Sequence, residues 1–218
     1  MKTFLRLILI VFLWLNVCGC ATIHTLNLSY DPGTVVPASL DKVKVAVLPF
    51  EDASRNGLEN THWVGEATLY GLQLHSQQSI SYGVTRAVKS EMAAYGYQLS
   101  PDEIYSLKIN RKDLKTLLKR IPHLHVGFLV GGTINHFFIQ QLGRLIADIE
   151  IEAYLIRLPQ GEVIWTKKIG HRDVRLPYPP DELSAQSQVI LNNLLDKTLK
   201  DLFRNSDFRV QTLTDKKN

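Results

Sequence analysis

The stretch Leu145-Ile-Ala-Asp-Ile-Glu-Ile-Glu-Ala-Tyr-Leu155 decides the fold. Leu145, Ala147, Ile149, Ile151, Ala153 and Leu155 fall on one side of an extended chain, with Asp148, Glu150 and Glu152 on the other. That period of two marks a strand with one buried and one solvated face. Just before it, His125 to Ile139 is a long apolar stretch around Gly131-Gly132. Just after it, Pro159-Gln-Gly161 is a turn signal leading to a third strand around Val163 to Ile169. Three consecutive strands with short connections predict an antiparallel meander. Asp181 to Phe203 then carries Leu183, Ile190, Leu191, Leu194, Leu195, Leu199, Leu202 and Phe203 at helical spacing, and this helix is expected to cover the sheet.

Upstream, Val43 to Phe50 reads VKVAVLPF. Val43, Val45 and Val47 share one face of a strand and Ala46 and Leu48 the other, so both faces are apolar and the strand belongs inside a sheet; Pro49 ends its pairing. Glu51 to Trp63 is polar and loop-like. Ile80 to Tyr95 reads as a helix with a stripe of Val84, Ala87, Val88, Glu91, Met92 and Tyr95, closed by Gly96. A short strand near Tyr97 to Leu99 and a helix from Arg111 to Ile121 follow, the latter with Leu114, Leu117, Leu118 and Ile121 at helical spacing. The order strand, helix, strand, helix, three strands, helix predicts an α/β fold, a single mixed or antiparallel sheet with packed helices.

The first residues have a different character. Lys2 and Arg6 precede an apolar run from Leu7 to Leu15 and the small-residue segment Val17-Cys-Gly-Cys20. This is the outline of a signal peptide over residues 1–19, and the run is well short of the roughly twenty residues that span a bilayer. Val17-Cys-Gly-Cys20 resembles the lipobox of bacterial lipoproteins. The resemblance implies a diacylglyceryl thioether on Cys20, cleavage before it, and a further acyl chain, a palmitate for example, on the freed amine. Two lipid signals meet the requirement for stable anchoring. By the same resemblance, Ala21 implies sorting to the outer membrane, with the folded part in the periplasm.

Cleavage removes Cys18 and commits Cys20, so the mature chain has no thiol left for a disulfide and relies on a packed core. Residues 20–42, rich in Thr, Ser, Asn, Pro and Gly, read as a lipidated tether that would reach roughly 70 Å if fully extended, or would pack instead on the domain surface. Residues 43–204 form the predicted domain, and 205–218 a polar tail expected to fray. The formal charge of the 218-residue chain is +4 and falls once Lys2 and Arg6 are gone, which gives no general affinity for nucleic acid.

The chain has no nucleophile elbow, phosphate-binding loop or dinucleotide fingerprint. Gly127, Gly131 and Gly132 stand within a strand pattern, where glycine marks a bulge or close backbone approach. His123 with His125, or His62 with Glu66 on a helical face at i and i+4, would supply two metal ligands and no third, so no metal and no cofactor is expected. Asp148, Glu150 and Glu152 read as a solvated strand face. Lys108, Arg111, Lys112, Lys115, Lys119 and Arg120 read as a basic helix face, and Asp52 with Arg55 as a loop contact. No catalytic residue is expected.

VAVLPFED, Val45 to Asp52, with Val64-Gly65 and Leu69-Tyr-Gly-Leu72 after it, resembles bacterial envelope lipoproteins with a domain like the amino-terminal domain of the Tol translocation protein. Curli export, exopolysaccharide secretion and penicillin-binding-protein activator lipoproteins are similar at this level. The likeness continues through Ala93-Ala-Tyr-Gly-Tyr97, Val130-Gly-Gly132 and Val163-Ile-Trp165. It implies a non-enzymatic component of an envelope assembly, export or wall-synthesis complex, often oligomeric. Its partners would be the lipid bilayer, through acyl chains on Cys20, and other envelope proteins. The alternative expectation is a periplasmic small-ligand-binding protein or hydrolase with a site near the Asp52 to Trp63 loop, using His62 and His75.

Overall fold

A computed structural model describes residues 22–33, 43–54, 62–100, 126–204 and 207–209. In chain order these form β1 (Thr22–Leu26), β2 (Lys44–Val47), β3 (Glu51–Asp52), β4 (Trp63–Ala67), β5 (Leu72–Ser76), α1 (Ile80–Ala94) and β6 (Gln98–Leu99). They continue with β7 (Phe128–Leu142), β8 (Arg144–Arg157), β9 (Glu162–Arg175) and α2 (Pro180–Phe203). A 3-10 turn, Thr68–Tyr70, joins β4 to β5. The proposed signal peptide, Cys20, His123, His125, Arg55 and the predicted helix 111–121 with its basic face all lie outside the described residues.

The nine strands make one mixed sheet with helices packed on it, as the α/β reading expected. Its spine is the meander of β7, β8 and β9, antiparallel throughout. One edge of β7 is taken up by β8. Along the other edge three short strands stand in file, all parallel to β7: β2 beside Phe128–Val130, β3 beside Thr133–Ile134 and β4 beside Ile139–Gln141. β6 then adds to β2, β5 to β4, and β1 to β5. Val45 and Val47 of β2 enter the main core with Val43, while Ala46 and Leu48 enter a second cluster with Leu129, Tyr154 and Ile156. The two-faced burial read from VKVAVLPF is thus the observed one.

Both helices lie on the main-core face. Ser79 caps α1 by accepting the Tyr82 N–H at 3.3 Å, and Gly96, at φ 88°, turns the chain out of it. Thr85 fastens α1 to the strand layer: its hydroxyl accepts the Phe50 N–H at 2.9 Å and donates to the Ser81 carbonyl at 2.7 Å. α2 starts on Pro180 with Asp181 and Glu182 in its first turn, the arrangement a helix N-terminus favours. The predicted leucine stripe from Leu183 to Phe203 is buried throughout.

Several features differ from the expectation. Within the segment read as a tether, Thr22–Leu26 is a strand paired with β5, and the residues after it are strapped to α2: the Asn27 N–H donates to Gln188 Oε1 and the Ser29 N–H to Asn192 Oδ1, at 2.9 and 3.2 Å. The polar stretch before Trp63 contributes β3, and β4 and β5 were not foreseen at all. β9 runs to Arg175 rather than Ile169, because its charged second half pairs in register with β8, Arg172 standing opposite Asp148. In the segment expected to fray, Phe208 is fully buried against Trp165, Phe203 and Tyr97.

Gly131 and Gly132 do mark a close approach. A Cβ on Gly132 would stand 2.2 Å from the Phe50 ring and 2.4 Å from the Glu152 carbonyl oxygen. Backbone on one side and a fully buried ring on the other leave no room to yield. Gly132→Ala is therefore expected to lower stability by about 3 kcal/mol, at the upper end for overpacking, as a reduced urea midpoint with an unchanged native circular dichroism signature.

Candidate functional site

Two polar arrangements stand out in a structure otherwise held by apolar packing. One is a groove on the sheet face away from the helices, where β4 meets β7. Gly65 makes the meeting possible: a Cβ there would fall 1.7 Å from the Ile139 carbonyl oxygen, and the register shifts at a bulge between Trp63 and Gly65. Glu66 thereby pairs with Gln140. Its Oε1 accepts from Gln140 Nε2 at 3.4 Å and from the Thr68 hydroxyl at 3.3 Å. Ser54, Trp63, Phe137, Phe138 and Ile139 complete the lining of a space of about 260 Å³. Asp52 Oδ1 accepts both the Ser54 N–H, at 3.1 Å, and its hydroxyl, at 2.5 Å, and so closes the turn after β3. A carboxylate between two aromatic side chains can hold a small neutral or cationic group. The volume lies below the roughly 300 Å³ at which drug-sized pockets begin.

The sequence-selected groups do not converge there. His62 and Glu66 were expected on one helical face, but residues 63–67 are a strand, which carries residues four apart to about 13 Å. His62 instead places Nδ1 3.1 Å from the Ser76 carbonyl oxygen. His75 sits on β5 opposite Trp63, with Nε2 3.4 Å from Gln73 Oε1. Neither imidazole lines the groove. Among the described residues no three His, Cys, Asp or Glu side chains are grouped so as to hold a metal ion. Asp148 and Glu152 stand opposite Arg172 and Lys168 in register, on the solvated strand face that the alternation indicated. The alternative site was expected near the Asp52 to Trp63 loop, which supplies Ser54 and Trp63 to the groove, but sequence reasoning did not find Phe138 or Gln140. A signal was present in Leu72-Gln-Leu-His-Ser76, whose alternation announces β5 and with it a strand partner upstream.

The second arrangement is a buried carboxylate. Glu91, on the inner face of α1, has a fully buried side chain and accepts from Arg204 Nε at 2.8 Å and from the Tyr30 hydroxyl. Arg204 also donates to the Pro32 carbonyl at 2.9 Å. Three distant parts of the chain meet here: the segment after β1, α1 and the end of α2. The hydrogen bond to Glu91 holds the Arg204 guanidinium pKa above its ordinary value despite partial burial. Burial, followed by the hydrogen bond and negative charge of Glu91, pushes the Tyr30 phenol well above its ordinary range. A buried acid paired in this way orders the fold, and removing its partner alone is costly.

No protein-family model matches the chain and no curated protein matches it in sequence. Solved structures do. Protein XCC0632 from Xanthomonas campestris is 10% identical with a TM-score of 0.55, over 88% of this chain and 99% of that one. The hypothetical protein CT253 from Chlamydia trachomatis is 8% identical with a TM-score of 0.51, over 79% and 99%. Lipoprotein GNA1162 from Neisseria meningitidis is 12% identical over 69% and 96%, at a TM-score of 0.41, too low to support an argument. At such identities the first two likenesses are of fold: the chain shares the mixed α/β architecture of XCC0632 and CT253.

The raised pKa of Tyr30 has a defined sign. The stability it contributes is whole below the unfolded phenol's pKa of about 10 and is lost as pH rises from there toward the folded value. Tyr30→Phe is expected to cost about 1 kcal/mol at neutral pH through the lost hydrogen bond and to decline less steeply above pH ~10, in urea unfolding across a pH series. Arg204→Met, which strands the buried Glu91 carboxylate, is expected to cost about 3 kcal/mol, and Glu91→Leu in the same chain to restore part of it.

Proposed function

We propose that the chain is a lipoprotein anchored through Cys20 to the outer membrane, its α/β domain in the periplasm serving as a non-enzymatic component of an envelope assembly, export or wall-synthesis complex. The observation that carries the reading is the order Lys2 and Arg6, apolar Leu7 to Leu15, then Val17-Cys-Gly-Cys20. The likeness to the Tol translocation protein's amino-terminal domain, read from VAVLPFED, belongs to the same proposal. So does the absence of catalysis.

A surface suited to protein partners supports it. Among the described residues β9 is paired on one side only, leaving fourteen residues of strand edge. Such an edge accepts an added strand through its backbone groups. Lys167, Lys168, Arg172 and Asp173 line it with charge, which blunts indiscriminate pairing and leaves the edge to a specific partner strand, from another envelope protein or a second copy.

The small-ligand reading retains one physical footing, the groove between Trp63, Glu66 and Phe138, without the histidines it invoked. Two measurements test the proposal. Cys20→Ser is expected to move the chain from the membrane pellet to the soluble periplasmic fraction, and pelleting as before would overturn the anchor. A photoreactive residue at Arg172 in intact cells is expected to capture a defined set of envelope proteins; a chain without protein adducts would return the groove to first place.

A further inference from the structure

The exposed apolar side chains are not scattered. Eight large ones stand out among the described residues, and six of them, Ile23, Leu69, Tyr70, Leu142, Val174 and Leu176, gather at one end of the sheet. The register shows why they are neighbours. Thr22 pairs with Leu72, Ala67 with Leu72 and with Gln141, Leu142 with Arg144, and Leu145 with Arg175. The start of β1, the Thr68–Tyr70 turn, the tight turn at Gly143 and the exit of β9 therefore share one rim, about 24 Å from β1 to β9 at the usual strand spacing. Leu176 is 81% exposed, Leu69 63% and Leu142 61%. Apolar residues at three successive loop tips are a liability in water unless something covers them.

The length of chain beyond this rim says what does. Cys20 lies two residues before Thr22, where β1 begins, so its Cα is held within about 7 Å of the rim by covalent geometry. A lipid on Cys20 thus brings this end of the domain, rather than the end of a long tether, to the membrane. We propose that the rim rests on the bilayer surface, with Leu69, Tyr70, Leu142 and Leu176 entering the interfacial region beside the acyl chains. The inference rests on the lipidation of Cys20 and adds to it an orientation and a second attachment. Tyrosine and leucine suit that layer, one wet at its tip and the other apolar. Arg144 at the turn suits phosphate, but Asp181 and Glu182 at the start of α2 offset it. The contact is accordingly apolar and insensitive to salt.

The mature chain's lack of other thiols makes a direct test. Lipidated chains carrying Leu142→Cys, Leu176→Cys or, as a control on the outer face of α2, Val189→Cys are labelled with an environment-sensitive fluorophore. They are then reconstituted into vesicles of phosphatidylethanolamine and phosphatidylglycerol containing acyl-nitroxide phospholipid, with native folding checked by circular dichroism. Emission at Leu142 and Leu176 is expected to fall at least twofold relative to nitroxide-free vesicles, in low and high salt alike, while Val189 is unchanged. Labels at both positions as unquenched as Val189 on a chain that remains vesicle-bound would overturn the docking and leave the anchor standing. Labels shielded from aqueous iodide yet unquenched by lipid would overturn it in favour of a protein cover. A mature chain whose mass shows no lipid on Cys20 would overturn the anchor, and this inference with it.

Discussion

Every strand in the sheet is reached through β7. Its fifteen residues hydrogen-bond along both edges, to β8 on one side and to β2, β3 and β4 in turn on the other. A strand so used lies in the interior of the sheet and must be apolar toward the helices, which it is at Phe128, Val130, Ile134, Phe137 and Ile139. It must also be narrow where large rings from its neighbours need the space. Gly131 lies against Tyr154 and Gly132 against Phe50, so two large side chains pack where a Cβ would stand. The order of β2, β3 and β4 along the chain is their order along β7, and short strands that could not persist alone borrow their stability from the long one.

The helix layer is fastened by different means. Apolar packing sets α1 and α2 on the sheet and buries Leu26, but polar contacts add to the hold on the amino-terminal segment: Asn192 and Gln188 hold the backbone after β1, and Glu91 draws in Tyr30 and Arg204. A buried carboxylate with two dedicated donors specifies which segments meet, whereas hydrophobic burial alone tolerates many arrangements. Because both helices take the same face, the other is left partly open, and the groove at Trp63 and Glu66 lies there. The amino-terminal strand brings the residue next to the proposed anchor to the sheet's apolar rim. An anchor and a sheet end that are far apart in most of the sequence are adjacent for this one structural reason.

What could be read in the chain, and what could not, follows the strength of local pattern. The alternation from Leu145 to Leu155, the stripes of α1 and α2 and the doubly apolar Val43–Leu48 are each visible within a dozen residues, and each stands as read. Glu91 was visible as the one charged residue in an apolar stripe, though not its partners. β1 was missed because Thr22-Ile-His-Thr-Leu26 buries only Leu26 and is held by hydrogen bonds to β5, which leave no trace in composition. β4 was missed because Gly65 and the bulge interrupt its period. The 170–175 half of β9 is charged, and it is a strand only because β8 lies alongside. Phe208 is invisible as core until Trp165, Phe203 and Tyr97 are brought around it.

The sequence by itself determined the fold class, the meander, the two covering helices and the signal-like segment ending at Cys20, since each is a periodicity or spacing within a short window. The tertiary structure decided which strands lie along β7, which face keeps a groove, that His62 and His75 stay out of it, and that six exposed apolar residues drawn from four loops and strand ends form one rim. Those outcomes depend on contacts between residues far apart in the chain, and such contacts are set by sheet register and close backbone approach rather than by any property a single segment carries.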